Sequence, residues 1–152
     1  MNGEEYLELG LVYIKERAWS KAMGSFYQAE RSLKEQNQKI PAALDSFLGL
    51  ALAMVGQRLE EALARCEKAL DEAFYQPDYY FNLGKVYLAL RDKTLAVQTF
   101  RLGLQLDERH PWIQKEMKRL GIRKSPLVKI LPRNHFLNKH LGKIQSKLKA
   151  LK

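Results

Sequence analysis

One motif recurs along this chain and dictates its architecture. Tyr6-x-x-Leu9-Gly10-x-x-Tyr13 returns as Tyr80-x-x-Leu83-Gly84-x-x-Tyr87. Each copy is followed, twelve residues past its glycine, by Ala-x-x-x-Phe: Ala22 and Phe26, then Ala96 and Phe100. A weaker copy lies between them, Leu48-Gly49-x-x-Leu52 followed by Ala62-x-x-x-Cys66. Units repeating at about this spacing cannot bury their apolar faces alone, so each must stack on the next. A linear array follows, with a core that is a strip rather than a ball.

Within each unit the apolar period is helical, and no alternating β-branched stretch competes with it. The pattern predicts helix pairs at about 3–16 with 19–36, 41–56 with 59–73, and 77–90 with 93–107. Pro41 and Pro77 stand where a helix can start, since a first-turn residue has no intrahelical use for its N–H. Ser20 and Asp92 suit caps of second helices, and Gly56 suits a helix exit. Gly10, Gly49 and Gly84 fall inside helices, at about 1 kcal/mol each relative to Ala. Their shared slot predicts close approach of the paired helix at Ala22, Ala62 or Ala96. The glycines are spaced by 39 and then 35 residues, the extra length falling at Glu35–Ile40 and near Gln57–Arg58, both helix junctions. Pro111-Trp112-Ile113 opens a further helix, which Gly121 ends and which caps the last unit.

These motifs resemble the tetratricopeptide repeat, a helix–turn–helix unit that stacks into a solenoid. The likeness spans roughly residues 3–120. Asp45 stands where that family prefers a large aromatic, Cys66 where Phe is usual, and Leu106-Asp107-Glu108 lacks the usual final Pro. The resemblance implies an all-α, short right-handed solenoid over residues 1–121, with three repeats at about 3–36, 42–76 and 77–110 and a capping helix at 111–121. It also implies a concave groove lined by the first helix of each repeat, holding a peptide or a partner's amphipathic helix. Carried over slot by slot, the groove presents Leu7, Leu11, Ile14 and Lys15, then Phe47, Leu50 and Met54, then Phe81, Asn82 and Lys85. A family variant that grips a C-terminal carboxylate carries Lys and Asn where this chain has Leu7 and Leu11, so that clamp is not expected. The function implied is a non-catalytic protein-interaction scaffold.

Charge divides the chain. The net +9 arises wholly from residues 122–152, which hold nine Lys or Arg and no acid, while residues 1–121 balance seventeen of each sign. Lys124-Ser125-Pro126 and Leu131-Pro132 break helix, and Asn134 suits the cap of a final amphipathic helix at about 134–151. Its seam is Leu137, Leu141, Ile144, Leu148 and Leu151, with Lys139, Lys143, Lys147 and Lys149 at other positions. Such a seam is expected to dock in the chain's own groove or in that of a second copy, giving self-association. Two other readings stand beside it: a solvated basic extension with no specific contact, and an adaptor whose basic tail associates with nucleic acid or an anionic membrane. The tail is also similar to those of some bacterial tetratricopeptide proteins, which implies a bacterial source.

Catalytic chemistry finds no constellation. His135 and His140 are five residues apart and diverge on one helix, so they do not share a metal ion. His110 shows no partner in sequence, and Cys66 fills a core slot as a small hydrophobe. No phosphate loop, nucleophile triad or cofactor motif appears, so neither enzyme activity nor a cofactor is expected. A lone cysteine, an acidic N-terminus and a longest apolar run of ten residues, Phe47 to Gly56, point to a reducing, cytoplasmic setting. The run from Phe74 to Phe81 places five aromatics in eight residues, some of them expected on the surface for binding.

Overall fold

A computed structural model describes residues 1–122 and 135–152. The expected breaks around Pro126 and Pro132, and the cap at Asn134, lie outside the described residues. Eight helices are described: α1 (Gly3–Lys15), α2 (Trp19–Glu35), α3 (Ala42–Val55), α4 (Leu59–Glu72), α5 (Pro77–Ala89), α6 (Lys93–Leu106), α7 (Pro111–Arg119) and α8 (Phe136–Ala150). The first six pair as α1–α2, α3–α4 and α5–α6, and each second helix also packs on the first helix of the next pair. The architecture is an all-α tetratricopeptide-type solenoid of three helix pairs, with α7 stacked in the position of a fourth first helix.

Local chemistry sets the helix ends. Asn2 and Glu5 form a reciprocal capping box at α1. Asp92 accepts from the Leu95 N–H at α6, Pro77 occupies the first turn of α5, and Gly56 closes α3 in the left-handed region. Ser20 does not cap α2. That helix starts one residue earlier, at Trp19, behind Ala18, with no side-chain cap. The turns inside the three pairs share a less common device: Arg17, Arg58 and Arg91 hold φ of 57°, 50° and 62°, a conformation that favours glycine.

The recurring glycines hold paired helices close: at Gly49 the expected Ala62 is one of the partners, through its backbone carbonyl, whereas at Gly10 and Gly84 the partner is the phenylalanine one turn past the expected alanine. A Cβ at Gly10 would fall on the ring of Phe26, at Gly84 on the ring of Phe100, and at Gly49 on the Cys66 sulfur. The slot is glycine in every repeat although its partner is a ring in two of them and a sulfur in the third. The alanines Ala22, Ala62 and Ala96 are buried beside them. Burial also pushes the Cys66 thiol well up, consistent with a packing role.

Asp45 has a physical reason to replace an aromatic. It is buried in α3 and binds Arg65 at 2.8 Å and Lys68 at 2.6 Å, both from α4. Arg65 further binds Glu30 of α2 and Glu61, each at 2.9 Å. One guanidinium thus ties the first pair to the second. Burial alone would lower the Arg65 pKa, but the hydrogen bonds it donates to Glu61, Glu30 and Asp45 raise it.

Helix α8 does not enter the groove. It lies against α6 and the end of α4, in the layer of second helices. Leu137, His140 and Ile144 are buried there, Leu141 and Leu148 half-buried, and Leu151 exposed. Lys139 pairs with Asp71 of α4, and the ammonium groups of Lys143 and Lys147 lie over the rings of Phe74 and Tyr75. The seam is used as a seam. Its destination is the layer of second helices, where Leu137 and Ile144 are buried and the exposed Lys139–Asp71 pair lies at the edge.

Candidate peptide-binding cleft

The first helices converge on a cleft of about 210 Å³. Its floor is Ile14 of α1, Leu50 of α3 and Phe81 of α5, one residue from each successive unit. Helix α7 closes one side with Trp112, Lys115 and Glu116, and Lys15, Arg17 and Trp19 close the other.

Aromatic stacking and one ion pair set the α7 wall. Phe81 stacks on Phe100 at 6.2 Å and on His110 at 6.2 Å, and meets Trp112 at 5.5 Å. His110 accepts the Ile113 N–H at Nδ1 and so donates from Nε2 to Asp78 of α5 at 2.5 Å. His110 thus has a partner that its sequence context conceals: it caps α7 and pins that helix to α5. Lys85 binds Glu116 at 3.0 Å, and Arg119 binds the same carboxylate at 2.7 Å. Burial alone would raise the Glu116 carboxyl, yet the hydrogen bonds from Arg119 and Lys85 hold it below the usual range.

Of the groove residues read from sequence, Ile14, Lys15, Leu50 and Phe81 meet in the cleft. Leu7 and Leu11 are half-buried against the core, and Phe47 packs edge-on to Tyr79. Asn82 is withdrawn: it is fully buried and donates to Ser46 at 2.9 Å, joining α5 to α3. Met54 is exposed, but at the neighbouring turn edge with Trp19 and Val55. Lys85 is spent on Glu116. Sequence reasoning missed Arg17, Trp19, Trp112 and Lys115. The only two tryptophans of the chain both face one cleft, a signal that appears once α7 is placed as the next first helix. From the aromatic run, Tyr80 is buried and donates to the Phe74 carbonyl at 2.7 Å, while Tyr75 is exposed beside Lys147.

No protein-family model matches the chain, and no curated protein matches it. Solved structures do. The Arabidopsis OM64 TPR domain superposes with a TM-score of 0.62 at 21% identity, covering 78% of this chain and 93% of that one. The first TPR of Spaghetti (RPAP3), solved bound to the HSP90 peptide SRMEEVD, gives 0.61 at 15% identity over 79% and 90%. The Sgt2 TPR domain from Aspergillus fumigatus gives 0.58 at 14% identity over 88% and 90%. At these identities the likeness is one of fold, and that fold is the tetratricopeptide-repeat solenoid.

Proposed function

We propose that the protein is a non-catalytic interaction scaffold that holds a peptide or a partner helix in the cleft between α1, α3, α5 and α7. The observation that carries this reading is the cleft itself: an apolar floor assembled from three successive repeats, flanked by tryptophans and cations. Clefts of this composition take extended or helical segments, with apolar anchors supplying affinity and rim charges supplying selection. A solved domain of the same fold holds a peptide, which supports the same use here.

Arrayed peptides test it. Trp112 is 43% exposed, so Trp112→Asp alters the cleft wall without opening the core. That variant should lose the peptides that the wild type binds. Val12→Asp, on an exposed part of α1 outside the cleft lining, should keep them. The reverse pattern would move the site to another face.

A second reading has one observation in its favour. With the seam turned inward, the lysines of α8 and their aromatic neighbours stand on the outside. Association of these lysines with an anionic surface would be mainly electrostatic, so it should collapse as salt rises.

A further inference from the structure

The cleft carries more positive charge than its neighbours answer. Lys15, Arg17 and Lys115 line it, and none has an acidic partner among the described residues. Its one lining carboxylate, Glu116, is already matched by two cations, Lys85 and Arg119. Between these cations stand Phe81, Trp19 and Trp112, and Phe81 is fixed in place by stacking on Phe100 and His110. Arg17 is held at φ 57°, a conformation that a glycine would adopt at lower cost.

We infer that the cleft selects an acidic peptide segment with one aromatic or bulky apolar anchor, the anchor seated between Trp19, Phe81 and Trp112 and the flanking carboxylates paired with Lys15, Arg17 and Lys115. This rests on the scaffold reading above and names its partner. The chemistry divides by position. The volume, about 210 Å³, suits a single large side chain rather than a row of them. Three cations spread around that anchor favour carboxylates on both sides of it, and they disfavour a basic helix, including this chain's own α8. Charge complementarity of this kind acts on association rate and partner choice. The anchor governs residence time.

Both tryptophans report directly. The probes are N-acetylated, C-amidated pentapeptides: Glu-Asp-Phe-Asp-Glu, its Phe→Ala form, the neutral Gln-Asn-Phe-Asn-Gln and the basic Lys-Arg-Phe-Arg-Lys. Titrated into the full chain, the first should shift tryptophan emission and bind at least tenfold tighter than the other three. Its affinity should fall as salt rises. Releasing its C-terminal carboxylate as the free acid should change affinity less than removing the side-chain carboxylates. A larger effect of the free acid would overturn the flanking-carboxylate assignment in favour of an end-on grip.

Arg17→Gly separates binding from folding. It relieves the left-handed strain, so the melting midpoint should hold or rise while acidic-peptide affinity drops several-fold. Lys115→Gln should weaken binding similarly. If the neutral or basic peptide binds as tightly as the acidic one and Trp112→Asp abolishes it, the scaffold reading stands and the acidic selection is overturned. If no peptide of any charge perturbs the tryptophans, both are overturned.

Discussion

The same residue type carries opposite meanings at two positions of this chain. Gly84 lies inside α5, where an added Cβ meets the ring of Phe100. Gly24 lies inside α2, where an added Cβ meets nothing within 4 Å. Alanine is the better helix former by about 1 kcal/mol at either site. Gly24→Ala should therefore raise the thermal midpoint, by about 2–4 °C for a chain of this size. Gly84→Ala should lower it, because insertion into a close contact costs about 1–3 kcal/mol and outweighs the propensity gain. Thermal denaturation followed by circular dichroism decides both, and an unchanged Gly84→Ala would remove the close approach as the reason for that glycine. Spacing alone exposed the slot, because three glycines shared it. It did not expose the opposing residue, since an alanine and an aromatic one helical turn apart lie on the same face, and only coordinates choose between them.

At the scale of elements, helix periods were legible almost to the residue, and the docking of α8 was not. A seam of leucines states that an apolar face exists and leaves its destination open. One residue of the docked face is polar. His140 shares the buried face with Leu137 and Ile144 and is fully buried, its Nε2 lying 3.4 Å from Asp71. Burial lowers its pKa from 6.5 to about 4, against the pull of Asp71 and aided by the nearby Lys139 and Lys143. The charged groups around it are thus Asp71 from α4 and the two lysines of its own helix, with Glu67, whose pKa burial raises, beside Asp71. A base whose pKa is lower when docked favours the docked state fully above about 6.5, and that advantage is lost as pH falls toward about 4. Amide hydrogen exchange of α8 should accordingly accelerate, relative to the solenoid, on passing from pH 7 to 5, approaching tenfold per pH unit after correction for intrinsic exchange. His140→Phe should flatten that dependence. A pH-independent α8 in the wild type would mean that the imidazole reaches water.

For the molecule as a whole, the consequence is a division of faces. The cleft belongs to the first helices and α7, while α8 covers the layer of second helices. Removing residues 123–152 should leave cleft-bound peptide affinity within twofold of the full chain, because no α8 residue lines the cleft. The same truncation uncovers the surface that received Leu137 and Ile144, so dye binding should rise and the midpoint should fall. Burial of each such side chain contributes about 1.5–3 kcal/mol at most. An affinity that rises on truncation would instead make α8 a competitor for the cleft. The general form of the cleft was legible from the repeat. Its cationic and tryptophan-rich character was not, since Trp19 and Trp112 stand at opposite ends of the solenoid's sequence and come to line one cleft only through the stacking of the repeats.

The return of α8 to Asp71 also has a temporal side. In the solenoid each helix touches neighbours close in sequence, contacts that close short loops and form early. The Lys139–Asp71 pair joins positions nearly half the chain apart, so it waits on a longer closure and on two finished helix pairs to receive it. Docking of α8 is therefore expected to follow the pairing of α3 with α4 and of α5 with α6, and refolding of the full chain should show a phase that removing residues 123–152 abolishes.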